Sequence, residues 1–304
     1  MKRTTVTGVV LALALGLAGC GGSSGAQTSS SSGPDGNTGA ASKDTKAPFF
    51  DRLPDEVKKS GKLVMATDAT IGAPFATFAS DNKTVEGLNV DMAHALGDLM
   101  GVHVEVVNTP FGTFIPGLQA KRYDFSISVM LDTKEREKVV DFVDYIKDGS
   151  GFLVRTDDPH EDLKLGDLCG MKAAAIKGSV EADDLATQSD KCKKSGKDPV
   201  NIKIFAENSQ GILALTSQRV DVWVGDSDQN AWLKQENNGQ VKQSGTPFNA
   251  AIDGIAMPKG SKLVPVMKGA LQQLMDNGEY LKILKKYGVD DGALKKATVN
   301  NAQY

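Results

Sequence analysis

Several things are scarce in this chain, and each scarcity removes a class of function. Only three histidines occur, His94, His103 and His160, and they fall on a predicted helix, a predicted strand and a loop. None has metal-ligand spacing, and there is no HExxH, Walker or EF-hand pattern, so the residues imply no metal and no cofactor. Three cysteines are too few for a disulfide-built scaffold. Basic residues show no excess: 35 Lys and Arg stand against 38 Asp and Glu, a net charge of −3, which argues against nucleic acid as a partner. No apolar run approaches the roughly 18 residues of a membrane-spanning helix.

The chain opens with Met1-Lys2-Arg3 and an apolar run, Val9 to Ala18, too short to span a bilayer. This is the pattern of an export signal over 1–19. It ends in Leu17-Ala18-Gly19-Cys20, which resembles the lipobox of bacterial lipoproteins and implies that Cys20 becomes a lipid-carrying N-terminus. Lipid is then the only expected membrane anchor. Residues 20–49 are rich in Gly, Ser and Thr and are expected to form a flexible tether; the stretch from Gly21 to about Lys46 would reach roughly 28 Å. Without Lys2 and Arg3 the balance is 33 basic against 38 acidic residues, net −5. With Cys20 lipidated, Cys169 and Cys192 remain as a pair in an exported protein, and a disulfide is expected between them. The closed loop would contribute roughly 3 kcal/mol on the chain-entropy model.

The remaining pattern alternates strand and helix. Lys62-Leu63-Val64-Met65-Ala66 is predicted as a buried strand, and Asn89 as the cap of a helix with Val90, Ala93, Leu96 and Met100 on its apolar face. Gly101 ends that helix; a strand over 102–107, a helix over 114–120 and a strand over 124–130 follow. Lys147 to Gly151 reads as a break. A second unit then begins: strand 171–176, a helix opened by Gly178-Ser179 and reaching about Gln188, strand 201–205, helix 209–217, strand 220–225, and a helix over 227–235 capped by Asp226. A strand at 254–257 and helices over 261–277 and 279–287 complete the chain. Repeated βαβ units imply mainly parallel sheets.

One residue stands out electrostatically. Thr133 is predicted to cap a helix, which places Arg136 in its first turn. That end of a helix is already positive, so a guanidinium there is unfavourable unless an anion joins it. With an anion, the arginine fork and the backbone N–H groups make a carboxylate site. Without one, Arg136 would be a solvated surface residue paired with Glu135 or Glu137.

Several segments, in order, resemble one family, the type II periplasmic binding proteins that serve as polar amino-acid receptors of ABC transporters. They are Leu63 to Thr70, Glu86 to Ala93, Phe114 to Gln119, Tyr123-Asp124, Asp132 to Phe142, Gly178-Ser179, Asp221 with Gly225-Asp226, and Gly254 to Gly260. The resemblance implies an α/β fold of two lobes, with mainly parallel sheets joined by two crossing hinge strands and a ligand in the cleft. Lobe I would comprise 50–151 and 250–304 and lobe II 152–249, with hinge strands near Lys147–Gly151 and Asn249–Asp253. It implies that Arg136 grips a ligand α-carboxylate, assisted by the turn at Gly178, Ser179 and Val180, and that Asp226 holds the α-ammonium from the other lobe. Asp68 would meet the ligand side chain, or cap a turn; Phe111 would form an aromatic wall; Ile71, Met130 and Leu131 would line the site. The implied partners are an amino acid and an ABC permease with its cytoplasmic ATPase, with the receptor itself a monomer. The chain departs from the pattern at Leu131, where many relatives carry Thr or Ser, and at Ile71, where an aromatic is common. Glutamine- or glutamate-like and basic cargoes therefore all stay open. So do a lyase on the same fold, resembling cyclohexadienyl dehydratase, and a ligand-sensing lipoprotein.

Overall fold

The computed structural model describes residues 43–237 and 239–302; Cys20 and the predicted signal lie outside them. The last residues of the expected tether are anchored rather than loose. The Asp44 amide donates to the Gly101 carbonyl and the Phe49 amide to the Leu99 carbonyl, and Phe49 and Phe50 are buried. Two aromatic side chains leaving water together explain why the tether stops short of them.

In chain order the strands are β1 (Lys62–Thr67), β2 (Thr77–Phe78), β3 (Val85–Glu86), β4 (His103–Asn108), β5 (Phe125–Ser126), β6 (Val140–Arg155), β7 (Lys172–Ile176), β8 (Asn201–Phe205), β9 (Val222–Asp226) and β10 (Val241–Pro258). The helices are α1 (Asp55–Ser60), α2 (Leu88–Met100), α3 (Phe114–Gln119), α4 (Lys134–Glu137), α5 (Val180–Lys194), α6 (Asn208–Thr216), α7 (Ser227–Glu236), α8 (Val264–Asp276) and α9 (Glu279–Lys286). Eight strands are hydrogen-bonded in the order β4-β1-β5-β10-β6-β9-β7-β8. β4, β1 and β5 run parallel at one end, and β8, β7 and β9 run parallel at the other. Between them lie the antiparallel strands β6 and β10, paired from Val241 opposite Arg155 to Pro258 opposite Val140.

These two long strands belong to two cores. Val143, Tyr145 and Ile146 of β6 pack with Leu63 and Met65 of β1, Leu96 of α2 and Leu271 of α8. Further along β6, Phe152 and Val154 face Leu185 and Cys192 of α5, while Leu153 faces Ile212 and Leu215 of α6 and Trp223 of β9. The period of two puts alternate residues on opposite faces, so one strand is covered on both sides. The result is a two-lobed α/β fold in which β6 and β10 pass from one lobe to the other. Cys169 and Cys192 are disulfide-bonded, tying the C-terminal half of α5 to the loop before β7.

Four sequence expectations need correction. Lys147 to Gly151 is no break but the middle of β6. A Cβ on Gly149 would lie 3.0 Å from the Phe248 carbonyl oxygen, so this glycine marks the close approach of two backbones, not a turn. Gly87, not Asn89, precedes α2; its φ of +128° suits glycine, and Asn89 is buried with its Nδ2 donating to Thr67 Oγ1 at 3.3 Å. β5 stops at Ser126 rather than 130, since the chain leaves the sheet to reach Val129 at φ +49°. α5 runs to Lys194, past the expected end at Gln188.

Candidate functional site

Thr133 caps α4 as expected, its Oγ1 accepting from the Arg136 amide at 3.2 Å, but α4 is only a single turn. Arg136 is not a surface residue: it is 9% exposed. Its Nη1 donates to the Leu131 carbonyl at 2.8 Å, and its Nη2 donates at 3.0 Å to the carbonyl of Gly178, on the far side of the cleft. The guanidinium lies 5.8 Å from the centroid of the Phe111 ring, a cation–π arrangement. Glu135 is bonded instead to Lys138, and the Glu137 carboxylate accepts from the Ala302 amide. Among the described residues no carboxylate comes within salt-bridge distance of Arg136. Burial lowers its pKa, and the surrounding acids Glu181, Asp253, Asp183 and Asp226 push it back up. An arginine that is buried, forked and without a counter-ion has donors to spare for an anion.

The C-terminal segment braces the turn that carries Arg136. Asn301 donates its amide to Asp132 Oδ2 at 2.8 Å, and Asn300 Nδ2 donates to Asp141 Oδ1 at 2.8 Å. Asp132 is held as an acid: burial, with Asp144 and Glu137 nearby, pushes its carboxyl up to about 8.

A small cavity of about 30 Å³ lies in the cleft beside Arg136. From one lobe it is lined by Ile71, Phe111, Leu131 and Arg136, and from the other by Ser179, Val180 and Asp226. Ser179 caps α5, its Oγ accepting from the Ala182 amide at 3.3 Å, so this face of the cavity is the first turn of a long helix. Asp226 ends β9 and precedes α7 without a capping bond from its side chain. Burial, with Glu181, Asp148 and Asp253 nearby, raises its carboxyl well above the ordinary range.

Three predicted site residues are placed elsewhere. Asp68 does not line the cavity; its Oδ1 accepts from the Thr70 amide at 2.9 Å and from Thr70 Oγ1 at 2.7 Å, and its Oδ2 accepts from the Phe111 amide at 2.9 Å. Its carboxylate is committed to shaping the turn after β1 and to holding Phe111 in place. Met130 is buried in the cluster around Phe114 and Phe142, and it contributes its carbonyl to the Gly254 amide. Gly178 meets Arg136 through its carbonyl and takes φ +82°, with Gly112 close against it.

The cavity also contains residues that the sequence patterns did not single out. Glu181 lies in the first turn of α5 at 4% exposure, with Oε1 accepting from Ser150 Oγ of β6 at 2.6 Å. Asn208 opens α6, and Gln229 lies in the first turn of α7. Gln229 Nε2 donates across the cleft to the Ile71 carbonyl. Nearby, Gly72 lies beneath the Trp232 ring so closely that a Cβ would fall 2.1 Å from it. The one available signal was position: each of these residues stands within three of a predicted helix start at the end of a strand, where open α/β sheets bind ligands. Among the described residues no cluster of His, Cys, Asp or Glu could hold a metal ion, and no helix is long and apolar enough to cross a membrane.

Comparison with known proteins places the chain in one family. Residues 63–290 match the family described as bacterial extracellular solute-binding proteins, family 3. An arginine-binding protein of Corynebacterium glutamicum is 28% identical over 249 residues, covering 82% of this chain and 81% of its own length. A glutamine-binding protein of Geobacillus stearothermophilus is 30% identical over 280 residues, covering 86% of this chain and 97% of its own. Among solved structures, an ancestral arginine-binding protein bound to glutamine matches with TM-score 0.68 at 32% identity, over 75% of this chain and 97% of that one. An ancestral amino acid-binding protein, a precursor of cyclohexadienyl dehydratase, matches with TM-score 0.65 at 30% identity, over 77% and 98%.

Proposed function

We propose that this chain, which belongs to the bacterial extracellular solute-binding proteins, family 3, is the receptor of an ABC importer: it captures a polar amino acid in the cleft and delivers it to a membrane permease driven by a cytoplasmic ATPase. Lipid on Cys20 would hold it at the outer face of the cell membrane. The observation that carries the reading is Arg136, buried at the cleft with no carboxylate partner among the described residues, together with Asp226 lining the same cavity from the other lobe. An amino acid is a zwitterion, so its recognition needs a fixed cation and a fixed anion a few ångströms apart. The ligand carboxylate would take the free donors of Arg136 and the first turn of α5, and the ammonium would take Asp226. Because the two charges come from different lobes, ligand contacts exist only when the lobes are together, and binding favours the closed state. Relatives named for arginine and for glutamine keep both a basic and an amide cargo within this reading.

A lyase is the second reading. A cleft carboxyl whose affinity for a proton is raised by burial, as that of Asp226 is, could serve as a proton donor. The test is a thermal-shift screen of the purified chain against the twenty amino acids, polyamines, small sugars and prephenate. A ligand that binds only the folded state raises stability as RT ln(1 + [L]/Kd). One or two amino acids giving large shifts support the receptor; a shift with another class alone, or turnover of prephenate, would overturn it.

A further inference from the structure

Arg136 stands at the end of a chain of contacts that begins outside the family match. The matched stretch ends at residue 290. The chain then runs back along the lobe I part of β6, where Ala293 bridges to Ile146 and Val299 to Val143, both antiparallel. In lobe II that edge of β6 is taken by β9, from Ser150 to Val154. The C-terminal segment thus covers the edge that β9 leaves open in lobe I. The Asp144 amide donates to the Thr298 carbonyl at 3.1 Å, and Thr298 Oγ1 donates to Asp144 Oδ2. Asn300 anchors the far end. At φ +49° it turns the chain, its amide donates to the Phe142 carbonyl at 3.3 Å, and its Oδ1 accepts from the Phe142 amide at 2.8 Å. Its Nδ2 donates to Asp141 Oδ1 at 2.8 Å.

The next two amides grip the turn of Arg136 on either side. Asn301 donates to Asp132 Oδ2 at 2.8 Å, four residues before Arg136, and Ala302 donates to Glu137 Oε1 at 3.1 Å, one residue after it. From the opposite side β10 holds the same turn: the Asp132 amide donates to the Ile252 carbonyl at 2.9 Å, and Leu131 bridges to Asp253. Asp132 and Asp144 are both buried and hydrogen-bonded carboxyl to carboxyl, which requires a proton between them. Among the described residues the Arg136 guanidinium bonds only to the carbonyls of Leu131 and Gly178. Leu131 belongs to the same turn and Gly178 to the other lobe. When the lobes part, the direction of the guanidinium is therefore set by the turn, and the turn is held by β10 and the C-terminal segment.

Resting on the assignment of Arg136 to the ligand carboxylate, we propose that residues 293–302 are a positioning strap for the binding site, anchored by Asn300 and acting through Asp132, which keeps Arg136 aimed at an incoming carboxylate while the lobes are apart. A carboxylate is gripped by two parallel N–H groups only in a narrow range of orientations. Holding the fork there in advance removes an ordering cost from binding. With the strap detached, the turn samples other arrangements, and apparent affinity falls by the fraction of time it spends in the competent one.

The experiment is isothermal titration of the full chain with arginine and glutamine, and failing those with the other eighteen amino acids, at a temperature where melting curves show every variant folded. Asn300→Ala removes two side-chain bonds and puts alanine at a left-handed φ, without touching the cleft. Affinity should fall by about three- to tenfold, corresponding to a turn correctly placed about a third to a tenth of the time. Asp132→Ala should fall in the same way. Asp132→Asn should return to within about twofold of wild type, because its amide can accept from Asn301 and donate to Asp144 as the protonated acid does. In the Arg136→Met background, Asn300→Ala should change affinity by less than about twofold, since no guanidinium is left to position. The inference is overturned if Asn300→Ala binds as tightly as wild type. It is also overturned if its loss persists in full without Arg136, which would make the strap a support of the fold alone. Either result leaves the receptor standing, whereas a wild-type chain that binds no amino acid would remove the receptor reading and this inference with it.

Discussion

Replacing Arg136 is the perturbation whose outcome the geometry constrains most tightly. Its guanidinium makes two hydrogen bonds, both to backbone carbonyls, and has no carboxylate partner among the described residues. A ligand carboxylate accepting two of its remaining donors would gain about 1.5–3 kcal/mol for each charge-assisted bond, roughly 3–6 kcal/mol in all. Part of that is offset because Arg136→Met also removes the cost of holding a buried cation. The net loss should still exceed about 1.4 kcal/mol, so the dissociation constant should rise at least tenfold. Arg136→Lys is the informative companion. It keeps the charge but lacks the planar fork, so one ammonium cannot serve Leu131, Gly178 and a carboxylate in the same geometry, and the loss should be intermediate. Titration calorimetry with the best ligand of the screen measures both, with melting curves as the folding control. Arg136→Met binding within about threefold of wild type would refute the assignment of the carboxylate to Arg136, since a single lost bond of this kind costs more than that.

Other regions of the structure give further expectations. The double variant Cys169→Ser, Cys192→Ser should lose about 2–4 kcal/mol in urea unfolding, and a loss near zero would mean that the loop is held by packing alone. Gly72→Ala places a Cβ against the Trp232 ring at a φ of +88°, so the clasp between lobes should loosen; the radius of gyration of the unliganded protein should rise and affinity should fall by about three- to tenfold, and unchanged scattering would show that the contact is incidental. Asp132 and Asp148 have carboxyls pushed up to about 8 and about 7, chiefly by burial. A raised carboxyl stabilises the fold fully below the ordinary value of about 4, and that stability is lost as pH rises through the folded-state value, so the melting temperature should fall between about pH 4 and pH 8 and level off above that. Asp132→Asn should flatten part of that slope, and a wild-type melting temperature that rises over this range would contradict the assignment.

What the sequence disclosed and what it hid have physical reasons. Caps are local, so Thr133 and Ser179 were legible: a hydroxyl three residues before an amide needs no tertiary context. The strand-and-helix alternation was legible because each core face repeats with the period of its element. The resemblance placed the hinge strands, but the local pattern did not, because Gly149 has the same appearance whether it turns a chain or lets two strands approach, and only the position of Phe248 decides between them. Asp68 and Glu181 show the same limit within the site. Both are acids near the end of a strand, but one is spent on Thr70 and Phe111 while the other is aimed at the cavity by the first turn of α5 and by Ser150. Thr70 is local, but Phe111 and Ser150 stand 43 and 31 positions from the acids they bond, beyond the reach of any local pattern.

The most direct test of the central claim, that the cleft reads both ends of a zwitterion, is to titrate the purified chain with its best amino acid and with two analogues of it. One analogue lacks the α-carboxylate and the other has the α-amine acetylated. If Arg136 and Asp226 hold the two ends, each analogue should bind at least about tenfold more weakly, since each forfeits a charge-assisted contact. An analogue that binds as tightly as the parent amino acid would show that its missing group is not recognised, and the account of the cleft would fail at that residue.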